Sequence, residues 1–450
     1  MAQAILARAA RAPRIWQSSP RNAPQPFGPA EQGAMSAAGR TKSPAPRQAL
    51  SSASMAGDDA GIAKVKNSRM EITDDGLRAI KAWKYQGGVS TPIDTLLNKY
   101  LWTPGSAFLP AWLAPNAVTL LGLLWVVLAY VILVLVYSTD FYTPAPRWAY
   151  AFAAFATFVY QFMDACDGKH ARRLGASSPL GQLFDHGCDS VSLSFLAMIL
   201  IASTRLGFGL RGIALLFSLQ VPFWLSQWAE YHTHTMEHSL GGWLGITEGQ
   251  LIGMLVMLTP GVLGPDYFLN DLGVGMLPAW YCGGESCPLA VRDLFLWSQL
   301  FVAFTFALSS FRAVLSRAEK RREAVLQTVP IFVLMILGVA WCTTIPHAHT
   351  HPRLVISSLG MAFTFLTNKM IVAGMCRMEY QPFHSILLPL PLIYGIARLQ
   401  VLPRHDDVLL GAYCAFAFHK LQRYTRNVVQ EISIFLGIYV LRLGSRPKGE

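Results

Sequence analysis

Residues 164–190 read DACDGKHARRLGASSPLGQLFDHGCDS, four aspartates and a run of basic side chains set between two long apolar stretches. The spacing is helical on both sides: Asp164, Asp167, Gly168 and Ala171 share one face, and Gly181, Asp185 and Asp189 recur at intervals of four. Between them SSP at 177–179 restarts a helix, with Ser178 as the cap and Pro179 in the first position, where a missing amide costs nothing. Two helices therefore meet across a short turn with acidic stripes facing each other.

Outward from this stretch the chain is apolar. Of its 450 residues 53% are hydrophobic and 14% charged, and the apolar runs approach the ~20 residues needed to cross a bilayer. Ten spans are expected, near 116–137, 147–164, 186–203, 210–228, 249–268, 293–312, 327–344, 354–375, 382–400 and 407–425, with 426–441 extending the last. The fold class is all-α, a polytopic membrane protein with about ten transmembrane helices. An amphipathic element precedes them at 67–113, where Trp83, Tyr85, Tyr100 and Trp102 alternate with Lys81, Lys84 and Lys99 and Thr91-Pro92 start a helix; it reads as interfacial. The membrane domain then covers 114–441, with a cytosolic tail at 442–450.

The formal charge of +11 lies mainly in short loops and terminal segments, which suits anionic headgroups and the positive-inside rule, so no nucleic-acid partner is expected. SRAEKRRE at 316–323, the densest basic loop, puts the end of the sixth span in the cytosol; Lys169, Arg172 and Arg173, then Arg442, Arg446 and Lys448, fall on the same side. Residues 1–66, rich in Ala, Ser, Pro and Arg, are compatible with a disordered tail or a targeting segment. No cysteine spacing matches a zinc site; Cys282 and Cys287, in YCGGESC, are either a lumenal disulfide or two unrelated thiols.

Four carboxylates at a membrane boundary repel one another and cost several kcal/mol each if buried unpaired, on the order of the penalties for buried charge. Lys169, Arg172 and Arg173 offer ion pairing as one resolution. An oxygen-only cluster equally suits hard divalent ions, Mg2+ or Mn2+, and Gly168, Ala171 and Gly181 leave room for a phosphate-bearing ligand against the backbone.

The string fits D..DG..AR........G...D...D at every fixed position, Asp164, Asp167, Gly168, Ala171, Arg172, Gly181, Asp185 and Asp189. It resembles the signature of the CDP-alcohol phosphatidyltransferases, and WLAPNAVTLLGL (112–123), SSPLGQLFDHGCDS (177–190) and GITEGQ (245–250) are similar to the eukaryotic choline and ethanolamine phosphotransferases over roughly 77–440. The resemblance implies transfer of a phospho-alcohol from CDP-choline or CDP-ethanolamine to diacylglycerol, with release of CMP. It implies two divalent ions on Asp164, Asp167, Asp185 and Asp189, and nucleotide contacts from Gly168, Ala171, Arg172, Gly181 and Asn116. A homodimer in the endoplasmic reticulum or Golgi, its active site facing the cytosol, is implied as well.

The acceptor hydroxyl needs a base. His186 has the near-neutral imidazole suited to proton transfer, with Glu248 at the start of the fifth span to orient it; Asp189 is the alternative base, and dipole stabilisation the alternative role for Glu248. His347, His349 and His351 read as solvated histidines, and His232, His234 and His238 as structural ones. Another alcohol partner such as inositol, or an ion-coupled transporter, are the competing functions; a transporter should carry acids at mid-membrane in repeated halves, whereas these cluster at one end.

Overall fold

The computed structural model describes residues 58–445 apart from 60, 64, 66–70, 89, 237–238 and 403–404, and apart from the side chains of 346 and 347. The expectations for 1–57, His238, the His347 side chain, Arg446 and Lys448 lie outside the described residues. What is described belongs to one unit, Ser51–Glu450.

The amphipathic region forms short pieces rather than one rod. These are α1 (Asp74–Ala82) and α2 (Pro92–Leu97), which runs through a π-helical turn at Asn98–Trp102 into α3 (Thr103–Phe108). Thr91 caps α2 as expected, its hydroxyl accepting from the Asp94 amide at 3.0 Å with Pro92 next. Long helices follow: α4 (Pro115–Tyr130, continued by a π-helical turn to Tyr137), α5 (Arg147–Arg173), α6 (Pro179–Ser203) and α7 (Leu210–Thr233). Next come α8 (Ile246–Leu263), the single-turn α9 (Ala279–Cys282), α10 (Val291–Arg317), α11 (Arg321–Leu326), α12 (Val329–Thr344), α13 (Pro352–Met375), α14 (Pro389–Arg398) and α15 (Asp406–Leu436).

Among the described residues, six helical segments are long and apolar enough to cross a membrane: 115–137, 179–203, 246–263, 291–317, 321–344 and 352–375. Helices α5, α7 and α15 are as long but carry more polar and charged side chains, Asp164, Asp167 and Lys169 among them. The run expected at 382–400 is helical only from Pro389 to Arg398, because Pro382, Pro389 and Pro391 prevent an earlier start.

The fold departs from all-α at two small hairpins. Ser239–Leu240 (β1) pairs with Leu244–Gly245 (β2) across Gly241 and Gly242, both at positive φ, and Asp271–Leu277 (β3) pairs with Cys287–Ala290 (β4). Cys282, at the end of the helical turn Ala279–Cys282, forms a disulfide with Cys287 at the start of β4. Beneath it Arg211 pairs with the fully buried Asp293 at 2.9 Å and lies 4.6 Å over the Tyr281 ring.

The core is centred on α6, α7 and α13, whose buried residues include Ile199, Leu216, Trp224, Trp228, Phe363 and Leu366. Helix α13 packs against α6, α7 and α15, and α4 packs against α5 and α6. By contrast α8 and α10 expose apolar rows such as Leu255, Val262, Phe301 and Phe304, surfaces that suit hydrocarbon and not water.

Candidate active site

The last three turns of α5 and the first three of α6 carry the motif, joined by the turn 174–178. Ser178 caps α6, its hydroxyl accepting from the Gly181 amide at 3.1 Å, so the acidic faces meet at a defined angle of entry. One carboxylate oxygen from each of Asp164, Asp185 and Asp189 lies within 4.8 Å of the others. Asp167 is buried beside them and accepts from the Thr119 hydroxyl on α4. Asp189 Oδ1 accepts from the Tyr160 hydroxyl, which in turn accepts from Ser192 at 2.9 Å. Two of the basic side chains that offered ion pairing as an alternative make their bonds elsewhere among the described residues: Lys169 Nζ donates to the Ala165 carbonyl at 2.9 Å, and Arg173 donates to the carbonyl of Ala107 at 2.6 Å.

The donor set fits a cation. Asp185 Oδ1 is buried with no hydrogen-bond partner among the described residues, and an unneutralised oxygen in that position is costly. All the converging atoms are carboxylate oxygens, the ligands of hard divalent ions.

The cluster lines a cavity of about 1410 Å3. Asn116, Gly168, Ala171, Arg172, Gly181 and His186 line it too. A Cβ on Gly168 would meet only Arg172 Nη1, at 3.6 Å, and one on Gly181 only Asn116 Oδ1 and Ser178 Oγ, at 3.5 and 3.6 Å, so both backbones are open to a ligand. Asn116 Nδ2 donates to the Val440 carbonyl at 2.9 Å, and residues 438–445, read in part from sequence as a tail, turn back over this end of the cavity with Arg442 in its wall. Away from the acids the cavity becomes apolar, between Leu219, Phe223, Met257, Phe295 and Phe306.

His186 is buried, with the Tyr85 ring edge-on at 6.5 Å. Although Tyr85 is 44% exposed, desolvation of its phenol, then Glu230 and Asp185, raise it above its ordinary pKa against the opposing charge of Arg172 and keep it a hydrogen-bond donor. Glu248 caps α8: Oε2 accepts from the Gly245 amide at 2.8 Å and Oε1 from the Thr91 hydroxyl. These two contacts tie the amphipathic segment to the start of α8. Sequence reasoning missed Thr119, Tyr160, Ser192 and Arg442, which come from other turns and helices; a hydroxyl at 119 inside WLAPNAVTLLGL was the one available signal. His232 Nε2 lies 2.9 Å from Gln327 Oε1; His349 and His351, read from sequence as solvated, each have a protein partner, the Cys342 carbonyl at 3.0 Å and Asp407 at 3.2 Å.

A sequence profile described as CDP-alcohol phosphatidyltransferase matches residues 112–281, from just before α4 into α9. The Choline/ethanolaminephosphotransferase 1 of Arabidopsis thaliana is 30% identical over 82% of this chain and 97% of its own length. The chain belongs to the CDP-alcohol phosphatidyltransferase family. Cholinephosphotransferase 1 of Saccharomyces cerevisiae is similar at 27% identity, over 84% of this chain and 98% of its own, and Cholinephosphotransferase 1 of Xenopus laevis at 28%, over 83% and 91%. The protein is an enzyme of this family, and its aspartate cluster is able to bind a metal ion.

Proposed function

We propose that the enzyme transfers phosphocholine, phosphoethanolamine or both from the CDP-alcohol to diacylglycerol, giving phosphatidylcholine or phosphatidylethanolamine and CMP. The observation that carries this reading is the convergence of Asp164, Asp185 and Asp189 at the polar end of a cavity that turns apolar between Phe223 and Phe306. A soluble acceptor would not need that apolar end, which suits acyl chains. The names of the relatives supply the two head alcohols.

Asp164, Asp167, Asp185 and Asp189 would hold two divalent ions, Mg2+ or Mn2+, which would neutralise the pyrophosphate and the charge developing on departing CMP. Gly168, Ala171, Gly181 and Asn116 would receive the nucleotide against open backbone, and Arg172 its phosphates. His186 would take the proton of the diacylglycerol hydroxyl. That oxygen would form its bond to the phosphorus bearing the head alcohol while the pyrophosphate P–O bond breaks. Glu248, through Thr91 and the start of α8, would hold the wall beside the imidazole. The basic residues Arg317, Arg321 and Arg322 support a cytosolic orientation for this end, and α5, α7 and α15 would add further spans to the six within a bundle able to bury their polar groups, the ten-residue α14 being too short to cross.

Purified enzyme supplied with diacylglycerol, Mg2+ or Mn2+ and each CDP-alcohol in turn should release CMP and a phospholipid. If neither head alcohol reaches lipid while CDP-inositol-type or phosphatidyl donors do, the assignment of substrates fails.

A further inference from the structure

A second cavity lies across α13 from the catalytic cluster. On one side of this helix the Thr364 hydroxyl donates to the Ser190 carbonyl of α6 at 3.1 Å. Five residues on, Lys369 faces away from α6 into a cavity of about 690 Å3 bounded by α13, the 377–388 loop and α15. Lys420 and Arg423 of α15 line it, with His384 and His419. Lys369 lies 3.3 Å from Glu71 and 4.1 Å over the Tyr424 ring, so its stem is packed and its charge is half satisfied. Lys420 donates to the Ser385 hydroxyl at 2.5 Å, and neither it nor Arg423 has a carboxylate partner among the described residues. His384 Nε2 is buried without a hydrogen bond among those residues.

The same lining holds two carboxylates, Glu71 and Glu379, so the three cations exceed the acids by one, and a guanidinium beside an ammonium without a carboxylate partner matches a phosphate group. The 377–388 loop also bares apolar side chains: Phe383, in the lining, is 87% exposed and Leu388, at the end of the loop, 69%. Such side chains beside a basic pocket fit a ligand that carries hydrocarbon, and basic pockets between membrane helices are where lipid headgroups lodge. We propose that this cavity binds the phosphate headgroup of an anionic membrane phospholipid, with the acyl chains lying along the apolar side chains of the 377–388 loop, Phe383 and Leu388.

The probe is dioctanoyl phosphatidic acid added to the purified enzyme in a neutral detergent with chelator, followed by thermal unfolding. A saturable stabilisation is expected, absent with dioctanoyl phosphatidylcholine. Its half-saturating concentration should rise about tenfold or more in the double variant Lys420→Ala/Arg423→Ala, one a partly buried and one an exposed position, in protein whose melting without lipid matches the wild type, while Asp185→Ala keeps the wild-type response. An equal response in the double variant, or its loss in Asp185→Ala instead, overturns the proposal. A shift given equally by inorganic phosphate, and lost in the double variant, would assign the cavity to a soluble phosphate and overturn the lipid.

Discussion

The Tyr160 hydroxyl donates to Asp189 Oδ1, and both residues sit in the wall of one cavity although they come from different helices. A carboxylate that is to share a cation must keep its orientation when the cation leaves, and this phenol, itself held by Ser192, is what fixes it. Tyr160→Phe should therefore raise the half-saturating metal concentration, by about 10-fold on the scale of lost outer contacts, while kcat at saturating metal falls less. Titration of activity with Mn2+ separates the two; an unchanged metal requirement with a large fall in kcat would remove Tyr160 from this role.

Asp164→Ala, Asp167→Ala and Asp185→Ala should each abolish transfer in protein that still folds, since each removes one of the converging oxygens or its neighbour. Chelation with EDTA should do the same to the wild type, reversibly on adding Mg2+ or Mn2+. Full activity in chelator would end the metal reading.

General-base help is worth about 100- to 10,000-fold. His186→Ala should lose activity on that scale and still bind the CDP-alcohol, measured calorimetrically, because the converging carboxylates remain. Asp189→Asn should weaken nucleotide or metal binding instead. Retention of more than about a tenth of the rate in His186→Ala would transfer the role to Asp189. Glu248→Ala should register chiefly as lost stability, about 1 kcal/mol for the cap alone, since its oxygens serve Gly245 and Thr91.

Asp293 is fully buried and takes hydrogen bonds from Arg211, Tyr281 and the Ala290 amide. Asp293→Ala strands the Arg211 guanidinium, a loss of about 3–5 kcal/mol for a broken buried pair. Thermal unfolding in detergent should drop by several degrees with the metal requirement of the surviving enzyme unchanged. A melting temperature equal to that of the wild type would show that Arg211 is compensated by other groups.

Sidedness is open to direct labelling, because four of the five free cysteines are buried. A cysteine at the exposed Ser316 should react with an impermeant maleimide from the cytosolic face of sealed microsomes, and one at Asn270 only after permeabilisation. The reverse pattern would put the catalytic end in the lumen.

What was legible in the sequence was local or periodic. Ser178-Pro179 and Thr91-Pro92 announced their helix starts because a cap needs a hydroxyl three residues from the amide it accepts. The acidic faces of 164–171 and 181–189 followed from the helical period alone. What stayed hidden were contacts between distant segments: Thr119 on Asp167, Tyr160 on Asp189, Val440 on Asn116, each a common residue type with no positional mark. The 382–400 run looked like a span by apolarity, yet its three prolines outweighed composition. Two hairpins escaped because each is built from a glycine-rich or cysteine-closed turn shorter than any periodic signal.

Asn116 and Val440 are 324 residues apart in the chain, and their hydrogen bond closes one end of the cavity. A ribosome synthesising this protein therefore inserts the helices that carry all four aspartates long before it makes the segment that roofs them. Through that interval the nascent chain holds an acidic notch open at the end that Asn116 and Val440 later close. On the function proposed above, turnover would wait for the final segment to fold back, and a partly made copy would consume no activated head alcohol during its own biogenesis.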